Sequence, residues 1–166
     1  MKIKIAAPLE TYSTSNGQGF RMVVWNQGCN LRCPGCQNPE TWDTEGGNEV
    51  DTESLIEEIR SYAMTHQGIT LSGGDPFLQP EANQEIANAA HNFNLDVWIY
   101  TGRLYEDLIQ DEASLNLLRE CDILVDGPFL IELRDVSLPY RGSSNQRIID
   151  IQQSLIQGKV VEIIFN

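Results

Sequence analysis

Three cysteines fall within eight residues, Cys29-Asn-Leu-Arg-Cys33-Pro-Gly-Cys36, and restrict the local fold more than any other stretch of the chain. Thiols this close in sequence meet on one small object only where the backbone curls around it, and Gly28, Pro34 and Gly35 supply the turns that such a curl requires. Thiolates favour zinc or an iron-sulfur cluster, and both usually take four ligands. Either a distant residue completes the set, or one position stays open to a small molecule that carries an amine and a carboxylate. Cys121 is the natural fourth thiol, but its place just before an apolar strand reads as a core residue.

The motif is embedded in alternating strands and helices. Lys2 to Ile5 alternates like an edge strand, and Phe20 to Trp25 is a stronger strand that ends where the cysteine loop begins. Thr44 to Val50 reads as a connector. Asp51 or Thr52 caps a helix with the stripe Leu55, Ile56, Ile59, Tyr62 and Ala63, and Pro80 opens a second helix with Ile86, Ala87, Ala90 and Phe93 on one face. Ile69 to Leu71, Asp96 to Thr101 and Ile123 to Val125 are strands, the last too continuously apolar to be half-exposed. Leu104 to Arg119 is helical with a break near Asp111. Gln146 to Ile151 and Val160 to Phe165 are the last strand candidates, on either side of a short helix at Gln152 to Gln157.

This pattern predicts a single α/β domain over residues 1–166 with a mainly parallel sheet. A closed eight-stranded barrel takes roughly 200 residues or more. The expectation is therefore an incomplete (β/α) barrel of about five or six mainly parallel strands. In such folds ligands collect beyond the carboxyl ends of the strands. Four polar motifs lie there: the cysteine loop after Trp25, Gly73-Gly74-Asp75 after Leu71, Thr101-Gly102 after Tyr100, and Asp126-Gly127 after Val125.

Charge narrows the partners. With 11 Lys and Arg against 24 Asp and Glu, the formal charge is -13, which argues against nucleic acid and against an anionic membrane surface. An acidic face that meets a basic partner, or solubility alone, accounts for the excess. No apolar run approaches the roughly 20 residues of a membrane span. The start Met1 to Pro8 is unlike a signal peptide, so the expected compartment is the reducing cytoplasm, where disulfides are disfavoured.

The C-x3-C-x2-C spacing resembles that of the radical S-adenosylmethionine (SAM) superfamily. Gly17-Gln18-Gly19-Phe20-Arg21, the stretch from Trp25 to Trp42, Ser72 to Pro76, Tyr100-Thr101-Gly102 and the tail Tyr140-Arg-Gly-Ser-Ser-Asn-Gln-Arg147 resemble, within it, the activating proteins of anaerobic (class III) ribonucleoside-triphosphate reductases. The resemblance implies a radical SAM fold and a [4Fe-4S] cluster on Cys29, Cys33 and Cys36. Its fourth iron would bind SAM, whose reductive cleavage would yield a 5′-deoxyadenosyl radical that makes a glycyl radical on the large subunit of the reductase. It further implies a low-potential electron donor such as flavodoxin.

By the same resemblance Gly73, Gly74 and Asp75 would receive the ammonium group of SAM, with aspartate standing where many relatives carry glutamate. Thr101 and Asp126 would line the SAM pocket, Asn38 would face it and Asn145 would meet the adenosine end. Each of these polar residues also suits a turn or a cap. Gly35 stands where many members of the superfamily carry an aromatic residue. Activation of pyruvate formate-lyase or a similar enzyme, small-molecule radical chemistry, and a zinc-binding module closed by Cys121 are the alternatives. His66 and His91 read as helix-end or surface residues, and the role of Arg147 is open.

Overall fold

The computed structural model describes residues 1–165. Its strands are β1 (Lys2–Ile5), β2 (Glu10–Ser13), β3 (Arg21–Asn26), β4 (Asn48–Asp51), β5 (Gly68–Gly73), β6 (Asp96–Tyr100), β7 (Ile123–Asp126) and β8 (Arg147–Asp150). They form one sheet in the order β4-β1-β3-β5-β6-β7-β8, with β2 also paired to β3. Helices α1 (Thr52–Tyr62), α2 (Pro80–Asn92), α3 (Tyr105–Leu108), α4 (Glu112–Arg119) and α5 (Ile151–Gln157) connect or follow the strands. The expected break in the third helical stretch is real. α3 ends at Leu108, and Asp111 caps the next helix by accepting a hydrogen bond from the Ser114 amide.

The sheet is mixed and mostly parallel at its centre, and it is open. Four neighbouring strands, β3, β5, β6 and β7, run parallel, fewer than the five or six expected. β8 is antiparallel to β7, with Asp126 opposite Arg147. A parallel neighbour needs a crossover to the far end of the sheet. The chain from 127 to 146 instead loops over the carboxyl end of β7 and returns from the same end. Residues 160–165 form no strand and contribute an isolated bridge from Glu162 to Ile149. The reading of 44–50 as a connector misses β4, which pairs antiparallel with β1.

Alternation along the strands divides the sheet into two chemically different faces. Met22, Val24, Ile69, Leu71, Val97, Ile99, Leu124 and Ile149 are buried beneath the helices, where they meet Leu55, Ile59, Ile86 and Leu117. The opposite face carries Trp98, Val125 and Ile148 with Tyr140 and Phe165 packed on them. Lower on that face Arg21 is fully buried. It donates to Thr70 Oγ1 (2.9 Å), Ile69 O (2.6 Å) and Gln18 O (2.9 Å) and pairs with Asp96 at 2.5 Å. Burial lowers its pKa and Asp96 opposes the shift. Cys121 is fully buried in the helix-side core, at the amino end of β7.

Candidate functional site

At the carboxyl end of β3 the chain leaves the sheet as the cysteine loop, which backbone hydrogen bonds hold by its base. Gly28 N donates to Thr41 O (2.6 Å), Cys29 N to Trp42 O (3.2 Å) and Cys36 N to Cys33 O (3.1 Å). Gln27 reaches under the loop to the carbonyls of Glu40 and Asp43. Asn26, buried at the strand end, bonds Asn83 (2.8 Å) and Gln79 (3.2 Å) of the helix side, and Gln79 in turn caps the β1 backbone at Lys4. The platform beneath the thiols is thus a satisfied polar network, which favours a single geometry.

The three thiols are half-buried, and none is in a disulfide. Burial raises the Cys29 pKa, with the neighbouring Asp75 charge acting in the same direction and the Leu31 and Arg32 amides against it. Asn38 N donates to Cys36 Sγ at 3.4 Å. Gly35 (φ +79) lies against Ile131, whose Cδ1 would stand 2.7 Å from any Cβ there. An aromatic side chain beside Cys36 is replaced here by the approach of the 131–133 turn.

The Gly73-Gly74-Asp75 loop docks directly on the cysteine loop. Gly73 ends β5 opposite Asn26, Gly74 N donates to Asn26 O (2.8 Å) and Asp75 N to Gly28 O (2.8 Å). A Cβ at Gly74 would run into the carbonyl oxygen of Gly28. Gly74→Ala is therefore expected to push the two loops apart, at a cost of about 1–3 kcal/mol in stability. Thermal denaturation and the rate of iron loss to a chelator should both show it.

Asp75 turns inward. Its buried carboxylate accepts from Phe77 N (3.0 Å), Thr101 Oγ1 (2.8 Å) and Gly102 N (3.4 Å), with Arg103 Nε 3.8 Å away. Desolvation pushes its pKa up, and those donors pull it back. Thr101 Oγ1 also accepts from Arg103 N (3.0 Å). Asp126, fully buried, accepts from Tyr105 N (2.9 Å) and from two nitrogens of Arg147 (3.0 and 2.6 Å), which also grips Glu106. That grip holds the Glu106 pKa below its usual value. Asn145 Nδ2 donates to Pro128 O (2.8 Å), while its buried Oδ1 has no partner.

Above the upper part of the open face lies a cavity of about 550 Å³. Its floor is Trp25, Ser72 and Tyr100, brought side by side by strand pairing; Cys36 and Asn38 form one wall, and Tyr140, Arg141 and Gln146 another. Of the seven residues expected to contact a small molecule, Asn38 lines this cavity. Gly73, Gly74, Asp75, Thr101, Asp126 and Asn145 brace the loops around it. Trp25 Nε1 donates to Glu10 Oε2 (2.9 Å) and Tyr100 OH to Tyr140 O (2.6 Å). Trp25 was legible as a residue flanking the cysteine loop and Arg141 as part of the tail motif, but the placing of either at the cavity, and of Ser72 and Tyr100 in its floor, is what sequence reasoning missed. The period-2 face shared by Trp25, Ser72 and Tyr100 is the signal that could have found the floor.

The donor set fits an iron-sulfur cluster. The three thiols come from one loop whose Cys36 lines a cavity of ligand size, and the buried Nε of Arg141 in the cavity wall lacks a partner. A zinc ion would draw its ligands to about 2.3 Å. Among the described residues no three His, Cys, Asp or Glu side chains, the loop cysteines included, are drawn together as they would be around a single ion, so the choice of a cluster rests on the thiol spacing and not on this geometry. Cys121 lies at the opposite end of the sheet. His66 bonds to Tyr62 O and Thr11 O, and His91 to Asp122 at 2.8 Å, both away from the thiols.

Known proteins match the sequence over most of its length. The family described as a 4Fe-4S single cluster domain matches residues 15–149. The anaerobic ribonucleoside-triphosphate reductase-activating protein of Escherichia coli K12 is 34% identical over 139 residues, covering 79% of this chain and 88% of that one. Its counterpart from Enterobacteria phage T4 is 36% identical over 140 residues (80% and 85%), and that of Haemophilus influenzae 33% over 150 residues (84% and 95%). Among solved structures, QueE from Escherichia coli aligns with a TM-score of 0.42 at 16% identity, covering 61% of this chain and 52% of that one. With similarity of this extent running through the cysteine loop and most of the sheet, the chain belongs to the family of anaerobic ribonucleoside-triphosphate reductase-activating proteins.

Proposed function

We propose that this chain is a radical SAM activase that makes a glycyl radical on an anaerobic ribonucleoside-triphosphate reductase. The observation that carries the reading is one loop with three half-buried thiols, of which Cys36 lines the cavity, while the fourth cysteine lies in the core at the other end of the sheet. Cys29, Cys33 and Cys36 would hold a [4Fe-4S] cluster. Bound there with SAM, a cluster reduced by an external donor would supply the one-electron chemistry that cleaves the sulfonium and leads to hydrogen abstraction.

The chain's own residues supply position and dryness. Trp25, Tyr100 and Phe129 give the cavity aromatic walls that keep water from a reactive centre. Asn38 faces the same space from the cysteine side. Asp75 and Thr101 fix the loop after β5 to the loop after β6, and the Asp126–Arg147–Glu106 group fixes the strap from 127 to 146, so that the cavity walls are held from three strand ends. The open sheet leaves an approach for a loop of the reductase. Flavodoxin is the kind of donor that suits such a cluster, and the cytoplasm is the compartment that keeps it reduced.

The test is electron paramagnetic resonance on the reduced, cluster-loaded protein mixed with SAM and reductase. An organic doublet that requires all three components is the expected result. A fully loaded, SAM-cleaving protein that yields the doublet with pyruvate formate-lyase and none with reductase would reassign the partner.

A further inference from the structure

Arg141 is a single cation in the wall of the cavity, in a chain that carries 11 basic and 24 acidic residues, and no Asp or Glu among the described residues lines that cavity. The side chains that line the space therefore carry one positive charge and no negative one, with the Asp135 carboxylate outside the lining but near enough to Arg141 to be lowered in pKa by it. Arg141 is also anchored on one side alone: its Nη1 donates to Gln146 O (2.7 Å), while Nε is buried without a partner. The segment that presents it is stiff. Gln146 Oε1 accepts from Gly142 N (2.9 Å) and Ser143 N (3.1 Å), its Nε2 donates to Gly127 O (3.1 Å), and the Tyr140 carbonyl is held by Tyr100.

A buried guanidinium nitrogen without a partner is costly, and its planar fork matches the two oxygens of a carboxylate. Of the groups on SAM, the sulfonium and the ammonium are repelled by a cation, and the adenosine carries no anion. The carboxylate remains. We propose that Arg141 holds the α-carboxylate of the bound cofactor and so makes the cavity selective for its amino acid half; this rests on the SAM reading given above.

The test is binding by calorimetry to the anaerobically loaded protein, using S-adenosylhomocysteine, which has the amino acid part, and 5′-methylthioadenosine, which lacks it. Arg141→Gln should weaken S-adenosylhomocysteine about 10- to 100-fold and leave 5′-methylthioadenosine within about twofold, with Arg141→Lys recovering part of the loss. Equal weakening of both ligands, or of neither, at unchanged iron content would overturn the assignment to Arg141 while leaving the SAM site standing. A loaded wild type that binds neither ligand would overturn both.

Discussion

Replacing Cys33 with alanine is expected to reduce iron and sulfide from about four each per chain to background, and SAM cleavage with them. The loss is complete because a cluster held by three thiolates has no spare ligand, and Cys121 at the far end of the sheet cannot move in to replace one. The fold should survive. The loop is tied by Gly28 to Thr41 and by Cys29 to Trp42, bonds that involve no atom of Cys33, so the metal-free variant and the metal-free wild type should melt within a few degrees of each other, about what surface substitutions do. Cys121→Ala gives the opposite pattern. It should keep the full iron content and lose stability, because it opens a space in a packed core. A zinc module closed by Cys121 would lose its metal in both variants.

Arg21→Met should give the largest loss of stability of any single change away from the site, about 3 kcal/mol or more, or a fall in Tm of about 6–12 °C. The side chain has no exposure, and its removal takes their donor from the Ile69 and Gln18 carbonyls, one of two hydrogen bonds from the Thr70 hydroxyl, and the ion-pair partner from the part-buried Asp96. It also removes the guanidinium from over the Trp98 ring, 5.6 Å from its centroid. Because Arg21 begins β3 and the cysteine loop follows its end, cleavage of SAM per loaded cluster should stay near the wild-type value at low temperature. Denaturant melts combined with activity per iron test the two halves of this expectation. A variant that is stable but inactive would mean that the lower sheet and the site are coupled.

What was legible in the sequence follows the strength of local signals. The cysteine spacing marks the ligands without any knowledge of the fold. The helix stripes of α1 and α2 and the apolar strands β3, β6 and β7 are read correctly because each is long or apolar enough to show its period. β2 (Glu-Thr-Tyr-Ser) and β4 (Asn-Glu-Val-Asp) are four-residue edge strands with little burial, and no apolar pattern announces them. The direction of β8 depends on whether the preceding chain crosses the sheet, which its own residues do not encode.

The site divides in the same way. Asp75, Thr101 and Asp126 carry polar groups that fit either a ligand or a neighbouring loop, and sequence position is the same for both. Their burial shows the loop-bracing half of that pair. A carboxylate with no exposure must be bonded, and both aspartates find their donors in adjacent strand-end loops. The cavity floor was hidden because Trp25, Ser72 and Tyr100 become neighbours only through the register of β3, β5 and β6. Arg141 and Gln146 were visible within the tail motif, but their bonds to the strap at Gly127 and to each other are tertiary.

The most direct measurement is the electron paramagnetic resonance spectrum of the reduced, fully loaded protein before and after SAM is added, without any reductase. A vacant position on one iron predicts that the cluster signal changes on SAM addition, and that the change is absent with 5′-methylthioadenosine, which has no chelating end. A spectrum that SAM leaves untouched, at about four irons per chain, would mean that all the coordination positions are already filled, and the account of this site would be wrong.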